Sequence, residues 1–175
     1  KAPSDYFSAA YGKFGVDIWR KANGEGTEYL TIERERKSIS RENTFGEDVM
    51  SIDKIKSELF YLTGKVCHTL RSKNLMATTI TIKLRYTDFQ TLTRSKTIKL
   101  TDDDKIIFET AWDLMQKAHT RRVGVRLIGI GVTNLTTYSE QEYLFEDYEM
   151  KRKKMLKAVT LIRDKYGFKM INIGF

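Results

Sequence analysis

A single cysteine, Cys67, in a chain of 175 residues excludes an internal disulfide framework. The two histidines, His68 and His119, stand far apart and give no zinc-ligand spacing. Such scarcity points to a reduced, cytoplasmic setting. No apolar run approaches the ~20 residues of a membrane span, and the N-terminus lacks a signal peptide's apolar stretch. The chain also begins without Met, as a fragment would. Disorder is excluded by composition: charged residues make up 31%, but the signs are interspersed and nine Phe, nine Tyr and two Trp lie between them.

What is present suffices for one domain of ordinary size plus appendages, with 41% apolar residues to form its core. Lys and Arg number 31 against 23 Asp and Glu, a net charge of +8. That excess suggests an anionic partner, because cations that pair with phosphates displace condensed counterions. Nucleic acid leads; a merely basic soluble protein or a membrane-surface binder is the bland alternative.

From Tyr6 to about Ala22, Phe7, Tyr11, Phe14 and Ile18 recur at helix-like intervals, with Gly12 and Gly15 as expected interruptions. Asn23-Gly24-Glu25-Gly26 ends the segment, and the charged run TIERERK (31–37) reads as an exposed connector. SISRENTF (38–45) alternates as a strand, Ile39, Arg41, Asn43 and Phe45 on one side and Ser38, Ser40, Glu42 and Thr44 on the other. Ile52, Ile55, Leu59, Leu62, Val66 and Leu70 then mark an amphipathic helix. TTITIKLRY (78–86) alternates strictly, Ile80, Ile82, Leu84 and Tyr86 facing a core while Thr79, Thr81, Lys83 and Arg85 face out. Asp88-Phe89-Gln90 joins it to TLTRSKTIKL (91–100) as a hairpin. Thr101 with Asp104 offers a cap for a helix burying Ile107, Ala111, Leu114 and Ala118, and 124–133 makes a last strand.

The order β-α-β-β-α-β predicts an α+β fold, a four-stranded sheet with both helices on one face and the other face open. Residues 146–166 follow as a further amphipathic helix through Tyr148, Met155, Ala158, Val159, Ile162 and Tyr166, ended by Gly167. An open face with Thr79, Thr81, Lys83 and Arg85, beside a strand carrying Arg94 and Lys96, suits duplex recognition through phosphates; a solvated sheet face is the alternative.

KSISRENTF, LRYTDFQTLTRSKTI and VRLIGIGVTNL together resemble the little-finger domain of Y-family polymerase IV, at its first strand, central hairpin and last strand. Upstream, Tyr11-Gly12-Lys13-Phe14-Gly15 with Trp19 and Ala22 resembles the end of that family's thumb. The resemblance implies residues 1–30 as thumb end, 31–37 as linker, 38–136 as little finger and 137–175 as clamp-binding motif plus C-terminal helix. It implies template-backbone contacts by Arg36, Lys37, Ser38 and Thr44, and phosphate contacts by Arg94, Lys96 and Arg126. Ser40 and Arg41 depart from the Gly and His common there.

QEYLF (141–145) resembles the pentapeptide by which bacterial polymerases attach to the sliding β-clamp: Leu144 and Phe145 would enter an apolar pocket while the Gln141 amide fixes register. Locally, Ser139 and Glu142 could instead cap the final helix. Asp102-Asp103-Asp104 reads as the acidic start of a helix before a metal site, and Lys151-Arg152-Lys153-Lys154 as a solvated face before a DNA contact. Cys67 and His68 have no catalytic partner at a recognisable spacing.

Polymerase chemistry needs carboxylates that hold two metal ions, which in this family belong to the palm. Nothing in the chain resembles the palm's metal-binding segments, so no cofactor is expected here and Mg2+ is expected only in the missing palm. The expected partners are primer-template DNA and the sliding β-clamp, without membrane contact, for a monomeric chain. An RNA-binding βαββαβ module is the runner-up, although Tyr86 falls on the apolar face and leaves no evident stacking platform. A small stand-alone enzyme is the other alternative, for which no site is visible.

Overall fold

A computed structural model describes residues 3–26, 36–137 and 147–171, with the backbone alone for 147–150. The chain divides into two compact units, Lys1–Glu35 and Arg36–Phe175.

In the first unit, α1 (Ser4–Ala22) breaks at Gly12, whose φ of 59° and ψ of −144° only glycine adopts readily. Gly15 does not interrupt the helix. It brings two helical arms together: a Cβ there would lie 2.0 Å from the Phe7 carbonyl oxygen. Tyr11, Phe14 and Ile18, which recur at helix-like intervals, are exposed.

The second unit contains β1 (Ser38–Val49), α2 (Ile52–Ser72), β2 (Leu75–Tyr86), β3 (Thr91–Thr101), α3 (Asp104–Ala118), β4 (Val125–Thr137) and α4 (Asp147–Tyr166). The sheet is four-stranded in the order β1-β4-β2-β3 with every neighbouring pair antiparallel. β1 and β2 therefore run the same way with β4 between them, and β3 and β4 the same way around β2. Each helix crosses over the strand contributed by the other half.

α2 and α3 cover one sheet face. Ile55, Leu59, Leu62, Val66 and Leu70 of α2 and Ile107, Ala111, Leu114 and Ala118 of α3 join Ile39, Ile80, Ile82, Leu84, Ile128 and Ile130 in one core. Tyr86 is fully buried there and donates its hydroxyl to the Ala118 carbonyl at 3.2 Å, which satisfies the polar tip of a large apolar side chain. Ile52, the first member of the expected stripe and the first residue of α2, is half exposed.

β1 and β4 each run four residues past their expected ends, with an irregularity between Thr44 and Val49. The cap of α3 is Asp103, which accepts from the Lys105 N–H, while the Thr101 hydroxyl accepts from the Asp103 N–H.

α4 packs by Leu156, Val159, Thr160 and Arg163, which recur at three- and four-residue steps. The expected apolar stripe is displaced: Met155, Ile162 and Tyr166 are exposed, and the Tyr148 side chain lies outside the described residues. The reason is a polar docking surface. The Arg71 Nε donates to the Thr160 hydroxyl at 2.8 Å, and Arg71 Nη1 reaches Asp104 Oδ2 at 2.5 Å and the Asp102 carbonyl at 2.8 Å. Arg163 Nη1 lies 3.5 Å from Asp104 Oδ1, and Arg152 binds Asp103 through both Nε and Nη2. The aspartates thus anchor α4 as well as starting α3, and Arg152 is an anchor within the basic run. Phe168, after α4, stacks edge-on against Tyr61 and under Arg163, in a space left open by Gly64.

Candidate nucleic-acid interface

Antiparallel register places directly opposed residues on the same side of a sheet, so the open face can be read off row by row. One row holds Ser38, Thr133, Thr79 and Thr97; the next Ser40, Gly131, Thr81 and Ser95. A third holds Glu42, Gly129, Lys83 and Thr93, and a fourth Thr44, Leu127, Arg85 and Thr91. Hydroxyl side chains dominate, because β-branched Thr suits an extended strand while its oxygen serves solvent or a ligand.

The hydroxyls form cross-strand pairs. Thr79 and Thr97 are 3.2 Å apart, Thr81 and Ser95 2.9 Å, and Asn134 Nδ2 donates to the Thr79 oxygen at 3.0 Å. Arg85 Nε donates to the Thr91 hydroxyl at 2.9 Å, which holds the guanidinium along the face. Lys83 Nζ meets both Glu42 carboxylate oxygens at 3.0 Å. Such a surface offers donors and acceptors for phosphate oxygens across about 14 Å of strand spacing, comparable with a major groove ~12 Å wide.

Of the residues singled out from sequence, Ser38, Thr44, Lys83 and Arg85 stand together on this face. Arg36 and Lys37 are exposed immediately before β1. Arg94 and Lys96 lie opposite Ile82 and Ile80, hence on the helix side of the edge strand β3. Lys96 Nζ is 3.9 Å from Asp113 of α3. Arg126 stands at the start of β4, at the residue where the register with β2 shifts; its guanidinium lies 4.8 Å from the Phe89 ring centre and 4.0 Å from Asp48. Near that hairpin tip Arg121 donates to Asp88 at 2.7 Å and holds its carboxyl below the usual carboxylate range. Gln141, Leu144 and Phe145 lie outside the described residues.

Sequence reasoning chose the cations of 91–97 and overlooked Thr91, Thr93, Ser95 and Thr97, which occupy alternate positions of that strand and supply its open-face side chains. It also overlooked Gly129 and Gly131 in the middle of the face. A Cβ at Gly129 would meet Glu42 Cγ at 2.8 Å, and one at Gly131 the Ser40 Cβ at 3.3 Å.

Other polar clusters offer less. Burial pushes the Cys67 thiol well above its ordinary value. His68 Nε2 is 2.9 Å from Asp164. Among the described residues no three His, Cys, Asp or Glu side chains converge as a metal site, and no helix is long and apolar enough to cross a membrane.

Residues 36–144 match the impB/mucB/samB family C-terminal domain. The chain is 37% identical over 134 residues to a DNA polymerase IV of Streptococcus sanguinis, a match covering 76% of the chain and 38% of that protein. It is 30% identical over 174 residues to a DNA polymerase IV of Dehalococcoides mccartyi, covering 98% of the chain and 44% of that protein. A third relative, from Lactococcus lactis, is 37% identical over 126 residues, 70% of the chain and 34% of the relative. The chain therefore spans less than half the length of each of these curated relatives. Matched across the sheet domain, the chain belongs to the impB/mucB/samB family and is a C-terminal region of the Y-family DNA polymerase IV type.

Proposed function

We propose that the open sheet face grips primer-template duplex through its phosphate backbone and positions a polymerase core that lies outside this chain. The carrying observation is the set of aligned rows that places Ser38, Thr44, Lys83 and Arg85 on one face with paired Thr and Ser hydroxyls. Hydroxyls and cations contact phosphate oxygens without reading base identity. A sequence-independent grip suits damage bypass, where a lesion removes the normal base edges. Arg36 and Lys37 extend the surface at its start, and Arg94, Lys96 and Arg126 supply cations at its rim.

On this reading residues 1–30 are the end of a thumb, and the nucleotidyl transfer and its Mg2+ belong to a palm carried by the rest of the polymerase. QEYLF (141–145) attaches the enzyme to the sliding clamp, through Leu144 and Phe145 in an apolar pocket and the Gln141 amide. The expected setting is cytoplasmic and the chain a monomer. The RNA-binding alternative is disfavoured by the absence of an aromatic ring from the described rows and by full burial of Tyr86.

Competition tests the reading. Labelled primer-template duplex bound to the chain should be displaced by unlabelled duplexes of unrelated sequence with equal efficiency, and poorly by single-stranded RNA. Displacement by RNA at lower concentration than duplex would reject it. Arg85→Ala should weaken binding similarly on every duplex.

A further inference from the structure

The third row contains the one carboxylate of the four described rows. Glu42 on β1 and Lys83 on β2 are separated by β4, about two strand spacings or ~9.6 Å of backbone. They nevertheless meet with both carboxylate oxygens 3.0 Å from Nζ. Gly129 stands between them in the same row, and a Cβ there would come within 2.8 Å of Glu42 Cγ. The Glu42 side chain thus crosses β4 over the bare glycine backbone.

The pair is partly exposed, with side-chain accessibilities of 33% for Lys83 and 41% for Glu42. An ion pair this exposed adds little to folding. Its consequence is electrostatic: of the cations in the four rows, Lys83 has its charge balanced and Arg85 does not face a carboxylate there.

Resting on the reading of this face as the duplex-binding surface, we propose that Glu42 is a positioning residue that withholds Lys83 from the DNA backbone and so limits the grip. The centre of the face is then a near-neutral, hydroxyl-lined track over which duplex moves between nucleotide additions. Phosphates are held at the margins of the track by Arg85 and by the cations before β1. Gly129 is part of the device, since the reach from Glu42 to Lys83 exists only where β4 has no side chain.

The test uses the 175-residue chain, primer-template duplexes of unrelated sequence and anisotropy titrations over a range of salt. Glu42→Gln keeps the shape and removes the charge, freeing Lys83 for one more phosphate. One added contact releases ~0.9 counterion, so binding should tighten about fivefold near ~0.15 M salt and the slope of log K against log salt should steepen by about 0.9. Gly129→Ala, which displaces Glu42, should act in the same direction. Lys83→Ala should erase the gain when combined with Glu42→Gln, the signature of coupling between the two side chains. If Glu42→Gln leaves affinity and slope unchanged, or if its gain survives in the Lys83→Ala background, the proposal is overturned while the reading of the face stands. Failure of the unaltered chain to bind duplex removes both.

Discussion

Asp104→Ala should be among the most damaging single substitutions in the sheet unit. Its carboxylate is 4% exposed and serves two buried guanidinium groups, Arg71 at 2.5 Å and Arg163 at 3.5 Å, whose side chains are 7% and 2% exposed. Arg71 Nη2 and Arg163 Nη1 already have no hydrogen-bond partner among the described residues. Burial opposes the charge on Arg71, yet Asp104, with Cys67 and Asp102 nearby, outweighs it and holds that guanidinium firmly protonated; on Arg163 burial prevails and lowers the affinity for the proton. Removing the shared anion leaves two cations in a site with little water. Breaking a buried pair by deleting one partner costs about 3–5 kcal/mol. For a unit of this size each kcal/mol moves Tm by ~3–4 °C, which gives a loss of roughly 9–20 °C. Arg163→Met removes the less well paired cation and should cost less than about 2 kcal/mol. Thermal unfolding followed by circular dichroism, with urea denaturation as a second measure, checks both. A Tm shift below ~3 °C for Asp104→Ala, or a larger loss for Arg163→Met, would refute the assignment of Asp104 as the shared anchor.

Acid should expose the second anchor. Burial raises the Asp103 carboxyl, but the hydrogen bonds and charge of Arg152 together with the Lys105 and Ile106 N–H groups outweigh this and hold it below its ordinary value. A lowered folded pKa contributes stability above the unfolded value of ~3.9 that disappears as pH falls through the folded value. Asp103→Asn should therefore be less stable than the unaltered chain at pH 7, with the gap closing below about pH 4; a gap independent of pH contradicts the pairing. Replacing Leu144 and Phe145 together by Ala should abolish association with purified sliding clamp and leave duplex affinity within about twofold, measured by surface plasmon resonance on each partner. Retained clamp binding would remove QEYLF as the attachment point.

How much of this was legible in the sequence depended on what each residue buries. Ile55, Leu59, Leu62, Val66 and Leu70 bury apolar surface against a sheet, and periodicity alone located α2. Strict alternation in 79–86 likewise separated Ile80, Ile82 and Leu84 from Thr79, Thr81 and Lys83. α4 was located but its face was misread, because Thr160 and Arg163 are half of its packed surface and hydrophobicity does not report polar side chains that dock against Arg71 and Asp104. The open face was legible on β1 and β2. On β3 the cations drew attention away from Thr91, Thr93 and Ser95, and only the register with β2 assigns Arg94 and Lys96 to the other side. The Glu42 to Lys83 contact joins residues 41 positions apart across a third strand, a relation that no local pattern encodes.

The central claim is that the sheet face holds duplex DNA by its phosphates, and the most direct measurement is the salt dependence of duplex binding by this chain and by Arg85→Ala. A few phosphate contacts predict a line of log K against log salt with a slope of about −3 to −5, shallower by about 0.9 in the variant. A flat line, or a slope unaltered by Arg85→Ala, would contradict the account.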